Sequence, residues 1–168
     1  MTATTPSPPD KNRSSGALLE PEDLSAWRGF LRVHAALTKQ LDAELVAAHG
    51  LSLSAYEVLL FLADSPEGRV RMSDLADSVL LSRSGLTRLV DRLEHGGLVE
   101  RESCPSDLRG FNAVITGPGR ELFAAARRTH LTGVRERFLD RFSDHELRLL
   151  GGIWERLQPG AAGTASGP

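Results

Sequence analysis

"SRSGLTRLVDRLEHGG", residues 82–97, opens on a pair of serines and closes on a pair of glycines. Leu86, Leu89, Val90 and Leu93 recur at the i, i+3, i+4, i+7 spacing of one helical face. At 100° per residue, Ser84, Arg88, Asp91 and His95 fall on the opposite side. Ser82 stands where an N-cap belongs and Gly96 or Gly97 where a C-cap does, so the spacing predicts a short helix with both ends specified. The apolar face docks this helix on its own domain. The question is what the hydroxyls and arginines on the other face touch.

Moving outward, the pattern stays mostly helical. Residues 22–48 carry Leu24, Trp27, Leu31, His34 or Ala35, Leu41 and Leu45 on one broad stripe, stopped at Gly50. "LSAYEVLLFLADS" follows as a second helix, with Ser54 and Glu57 expected as a capping box. Pro66 and Gly68 break the chain, and "RVRMSDLADSVLL" predicts a short third helix starting near Ser73. After the helix at 82–97 the period changes. "LVERES" and "FNAVIT" are two β-like runs joined by the turn formers of "CPSDLRG", a hairpin with a long polar tip. Helix returns after Thr116, which can cap, with Pro118 in the first turn. The last helix opens on Ser143 and Glu146, a second capping box, and carries a seam of Leu147, Leu150, Ile153 or Trp154, and Leu157.

This order predicts a mainly α protein with a small β-hairpin wing: a helix-turn-helix followed by a wing. The expected division is a Pro-, Ser- and Thr-rich tail over 1–17, helical dimerisation segments over 18–50 and 117–158, a winged helix-turn-helix over 51–116, and a second tail over 159–168. The terminal helices hold more apolar surface than one small domain can cover. Pairing with a second copy, with two-fold symmetry, is the economical solution.

Composition narrows the function classes. The chain has 168 residues, 40% hydrophobic and 25% charged, which is globular rather than disordered. No run reaches the roughly eighteen apolar residues of a membrane span, and the N-terminus lacks a secretory apolar stretch, so a cytoplasmic protein without a membrane partner is expected. One cysteine, Cys104, excludes an internal disulfide and a multi-thiolate zinc site within the chain. The five histidines are scattered, and no pair shows i, i+4 ligand spacing. There is no phosphate-cradling glycine loop, GxSxG elbow or clustered acid pair, so neither an enzyme nor a cofactor is expected.

A formal charge of −2 gives no global sign of a nucleic-acid partner, and residues 69–110 hold seven arginines against seven carboxylates. The case for double-stranded DNA is therefore local. Ser84, Thr87 and Arg88 point outward with Arg83 and Arg92 on the flanks, residue types that bond base edges and phosphates in a major groove. Ser82 and Ser84 can both donate to phosphate. Arg109 stands near the hairpin tip with no core to support, placed to enter a minor groove. Asp107 can orient it, or pair with Arg101 on the adjoining strand. A merely solvated helix is the plain alternative, and Arg109 weighs against it.

At this point the chain resembles the MarR family of winged-helix regulators. The resemblance runs from about residue 24 to 157 and is carried by "LSRSGLTRLVDRLEHGGLVERESCPSDLRGFNAVITGPGREL". It joins the serine- and arginine-bearing helix, the "GLVER" strand, Asp107-x-Arg109 in the wing and Thr116-x-x-Gly119. The resemblance implies a homodimer joined by the first and last two helices, bound to a pseudo-palindromic operator. It also implies a repressor released by a small aromatic or phenolic acid. Candidate ligand-lining residues on that basis are Trp27, Phe30, His34, Tyr56 and Arg83; the plain alternative for the aromatics is core packing.

Two features depart from the family pattern or stand outside it. Gly110 replaces the second basic residue after the wing arginine, and Arg127, Arg128, Arg135 and Arg137 crowd one later helix, where solvation is the simpler role. Peroxide-sensing members use a cysteine in the first helix, which is absent here, so redox control would have to act through Cys104 in the wing. A protein-binding winged helix is the other alternative, and Arg88 and Arg109 argue against it.

Overall fold

The computed structural model describes residues 20–159 apart from 80, 105 and 106, with backbone only for 107–109. The tails expected over 1–17 and 159–168 lie outside the described residues, except for residue 159. In chain order the elements are α1 (Pro21–His49), α2 (Leu53–Asp64), β1 (Arg69–Arg71), α3 (Met72–Ser78), α4 (Arg83–His95), β2 (Val99–Cys104), β3 (Asp107–Ile115), α5 (Gly117–Arg137) and α6 (Asp144–Leu157). The fold is mainly α with a small antiparallel sheet, as the pattern predicted. Among the described residues no single helix is long and apolar enough to cross a membrane.

Two compact units divide the chain. One comprises residues 36–134 and contains the winged helix-turn-helix. It is wider than 51–116, because the end of α1 and most of α5 supply part of its core. Leu45 is the one buried residue of α1, and Phe123 and Ala126 are buried from α5. They join Val58, Leu59, Leu62, Leu75, Val99, Ala113 and Ile115 in one cluster. Leu86, Leu89, Val90 and Leu93 of α4 are all at most 4% exposed, so the predicted stripe is the docking face.

The helix starts follow from capping, with one correction. α2 is capped by Ser52, whose hydroxyl accepts from the Ala55 amide at 3.2 Å; the Ser54–Glu57 box expected from the sequence is not the cap. Both serines have a suitable residue after them, and the helix begins at the earlier one because Asp42 of α1 also accepts from the Leu53 amide, at 2.8 Å. That partner lies eleven residues away and has no local signal.

A third strand is the second difference. Residues 69–71 pair antiparallel with β3 (Arg69 with Val114, Arg71 with Asn112), giving sheet order β1-β3-β2. Three residues carry no readable alternation, so β1 exists by virtue of its neighbour. The wing loop also differs from the expected long tip. Cys104 pairs directly with Asp107, while Ser103 pairs with Phe111, so the register jumps by three residues inside β3. From Asp107 onward, the residues expected to form a loose tip are instead taken into a bulged strand.

The wing is tied to α5 by a close backbone contact. Thr116 caps α5 by accepting from the Gly119 amide at 3.1 Å, and its hydroxyl donates to the Gly97 carbonyl at 2.7 Å. The Thr116 amide donates to the Leu98 carbonyl at 3.1 Å. A Cβ on Gly119 would meet that same carbonyl oxygen at 2.1 Å, which no side-chain adjustment relieves. Gly119→Ala is therefore expected to cost about 1–3 kcal/mol. Chemical denaturation checks this, and an unchanged midpoint would contradict the contact.

The other unit comprises, among the described residues, 20–35 and 135–159. Its α6 begins in the predicted capping box: the Ser143 hydroxyl accepts from the Glu146 amide and the Glu146 carboxylate accepts from the Ser143 amide. No residue of α6 is buried, although its apolar residues share a seam. Trp27, Phe30, Leu31, Val33 and Leu157 are exposed, with Trp27 at 56% and Leu157 at 72%. The unit's apolar residues cluster without being covered.

Candidate nucleic-acid interface

The candidate surface is built on α4. Ser82 caps it, accepting from the Gly85 amide at 3.1 Å, and lies 3.3 Å from the Ser84 hydroxyl. A Cβ at Gly85 would come within 3.1 Å of the Ser82 oxygen, so glycine leaves room for the capping hydroxyl. Thr87 donates its hydroxyl to the Arg83 carbonyl at 3.0 Å, which leaves the Thr87 oxygen as an acceptor and its methyl as an apolar contact. Ser82, Arg83, Ser84, Thr87, Arg88 and Arg92 are all exposed. The helix thus presents donors, an acceptor and three guanidinium groups from one rigid element whose other face is sunk in the core.

Two grooves flank it. One, of about 620 Å³, lies between α3, α4 and the wing root, and is lined by Arg71, Arg83, Thr87, Asp91, Arg101 and Phe111 among others. The second, of about 490 Å³, has Arg88 and Arg92 on one wall and Ser52 and Ser54 from the start of α2 on the other. The sequence reading missed Ser52, Ser54 and Arg71 at this surface, because each is far in sequence from residues 82–97.

Arg101 is the larger omission. Its guanidinium bonds Asp91 at 2.6 Å and Glu94 at 2.5 Å, and donates to the Thr87 carbonyl at 3.3 Å. Its amide donates to Glu94 at 3.3 Å. Arg101 is therefore committed to α4; the pairing with Asp107, one of the two roles expected for that residue, involves a side chain outside the described residues. The reason for the commitment is geometric: β2 leaves α4 through the Gly96–Gly97 turn and runs back along the helix flank. A neighbouring pair, Arg69 with Glu102 at 3.0 Å, engages another carboxylate of β2. Arg109 and Asp107 lie in the bulged part of β3, and their side chains are outside the described residues.

The five ligand-lining candidates divide between the units. Trp27, Phe30 and His34 form a row on α1, with ring centroids 5.8 Å and 6.1 Å apart, and Phe30 also meets Trp154 at 6.0 Å. Tyr56 is buried in the winged unit between Phe123, at 5.5 Å, and His130, at 4.6 Å. Burial pushes the Tyr56 phenol above its ordinary pKa, against the pull of Arg127. Burial also holds His130 below its ordinary value, with Glu44 opposing, and the buried His130 Nδ1 has no hydrogen-bond partner among the described residues. Arg83 is exposed on the first turn of α4. Cys104 is buried at the end of β2, whereas reactive thiolates are partly exposed.

Comparison with known proteins decides the family. The sequence profile of the MarR family matches residues 49–110. The chain is 36% identical to Sco3205, a MarR family transcriptional regulator from Streptomyces coelicolor solved in complex with DNA. That superposition covers 88% of this chain and 96% of the other, with a TM-score of 0.79. The chain belongs to the MarR family.

Other MarR family members extend the likeness. AbsC, a MarR family transcriptional regulator from the same organism, is 34% identical over 88% of this chain and 99% of its own, with a TM-score of 0.79. The transcriptional regulator HosA of Escherichia coli is 31% identical over 99 residues, 59% of this chain and 71% of that protein. The HTH-type transcriptional repressor YetL of Bacillus subtilis is 28% identical over 114 residues, 66% of this chain and 68% of that protein. As a MarR-type protein the chain is a DNA-binding transcriptional regulator, a class that is not enzymatic.

Proposed function

We propose that this protein acts as a homodimeric repressor that inserts one α4 per copy into successive major grooves of a pseudo-palindromic operator. The observation that carries this reading is the division of α4 into a buried apolar face and an exposed face of Ser84, Thr87, Arg88 and Arg92. Arg88, with Ser84 and Thr87, contacts bases; Arg83, Arg92 and Ser82 hold phosphate; Arg109, oriented by Asp107, enters the minor groove from the wing. Repression is supported by the named role of YetL. The uncovered apolar face of the terminal unit supports pairing with a second copy, which sets the two reader helices about 34 Å apart, one turn of duplex. The effector we infer is a small aromatic acid, for which the row of Trp27, Phe30 and His34 offers stacking faces, with Tyr56 and Arg83 as further candidates.

Selection of duplexes from a random-sequence pool, followed by binding titration, tests the DNA reading. Arg88→Ala is expected to relax preference at one base position per half-site and to cost about 1–3 kcal/mol there. An unchanged preference at every position would remove Arg88 from the base contacts.

A further inference from the structure

Asp91 is awkwardly placed for a protein that grips phosphate. On the helical wheel it lies between Thr87 and Arg88, inside the exposed face of α4, and its side chain is 53% exposed. Glu94 follows on the wing-side flank at 40% exposure. Two bare carboxylates there would repel the same phosphate backbone that Arg83 and Arg92 attract. The structure cancels them from outside the helix. Arg101 of β2 reaches across to both, at 2.6 Å and 2.5 Å, and the nitrogen that meets Asp91 also donates to the Thr87 carbonyl at 3.3 Å. At 21% exposure it is more sheltered than either partner, so it sits behind the carboxylates, not in front of them.

We propose that Arg101 is a positioning residue for DNA binding, which draws Asp91 and Glu94 back from the exposed face of α4 so that Arg88 meets bases and Arg92 meets phosphate unopposed. This role rests on the DNA-contact surface proposed above. It does not require Arg101 to touch DNA. It also differs from a simple contribution to folding, because ion pairs this exposed contribute little to stability. Drawn through Thr87, Asp91 and Glu94, the same residue fixes the root of the wing against three successive contacts on the reader helix.

The test uses a duplex selected by the unaltered protein from random-sequence DNA, with thermal unfolding run on every variant. Arg101→Met is expected to weaken binding on the order of tenfold, from two uncancelled charges in a half-wet interface. Adding Asp91→Asn and Glu94→Gln to that variant should bring affinity back to near the unaltered value. Removing two exposed carboxylates elsewhere, through Glu121→Gln and Glu136→Gln on α5, should not. Arg101→Met binding as tightly as the unaltered protein overturns the proposal, as does a triple variant no better than Arg101→Met, or an equal rescue from α5. Should Arg101→Met fail to fold, Asp91→Asn with Glu94→Gln alone decides: binding at least as tight as the unaltered protein supports the role, and a tenfold loss overturns it. If the unaltered protein enriches no sequence from the pool, the DNA reading falls and takes this role with it; if it does enrich one, the variants judge Arg101 alone.

Discussion

Trp27→Glu is expected to convert the protein from a two-copy to a one-copy particle at micromolar concentration. Trp27 is 56% exposed and stacks on Phe30, which in turn meets Trp154 of α6. Its large ring is therefore held in place yet largely uncovered within the chain. Held aromatics of this kind are the anchors that dominate interfaces, and losing one typically costs about 2 kcal/mol or more, near thirtyfold in affinity. A carboxylate in its place adds the cost of taking a charge out of water, so the loss should exceed that of an alanine. Light scattering gives the particle mass, and binding titration gives the consequence. A single copy holds only half of a two-fold operator, so affinity for the selected duplex should fall by a larger factor than affinity for one half-site. A one-copy mass for the unaltered protein, or an unchanged mass for Trp27→Glu, would remove this face from the dimer interface.

Leu45→Ala should produce the largest loss of stability in the winged unit, about 2–5 kcal/mol, with a fall in Tm of roughly 10 °C or more. Leu45 is fully buried, and it is the one residue that α1 contributes to the core cluster. The deletion leaves a cavity where α1 meets the winged unit, and close packing around it limits collapse. Val46, the next residue, is 48% exposed, and Val46→Ala should stay within about 0.5 kcal/mol. Circular dichroism melts of the two variants make the comparison. Equal effects would mean that α1 does not share the core.

Both variants act on features that were half visible in the sequence. The stripe on residues 22–48 includes Trp27 and Leu45 alike, and periodicity assigns them the same face. Only the fold distinguishes them: Leu45 lies where other elements of the winged unit close over it, and Trp27 lies in a unit with too few elements to cover it. The same limit explains the ligand candidates. An aromatic on a helical stripe carries the same pattern whether it ends buried, as Tyr56 does, or exposed, as Trp27 and Phe30 do.

What the sequence by itself determined is the local chemistry: the apolar seam of α4, its Ser82 cap, the Ser143–Glu146 box and the Thr116 start of α5. Each depends on residues within about one helical turn, and such interactions are legible because spacing along the chain is also spacing in the helix. Tertiary structure alone decided the rest. It made residues 69–71 a strand by supplying β3 as a neighbour, moved the α2 cap to Ser52 by supplying Asp42, and turned Arg101 onto Asp91 and Glu94. These partners stand seven to about forty-five residues apart, and chain spacing does not tell how far apart in space such residues lie. A charged side chain in a strand pairs with whichever opposite charge the fold brings within reach.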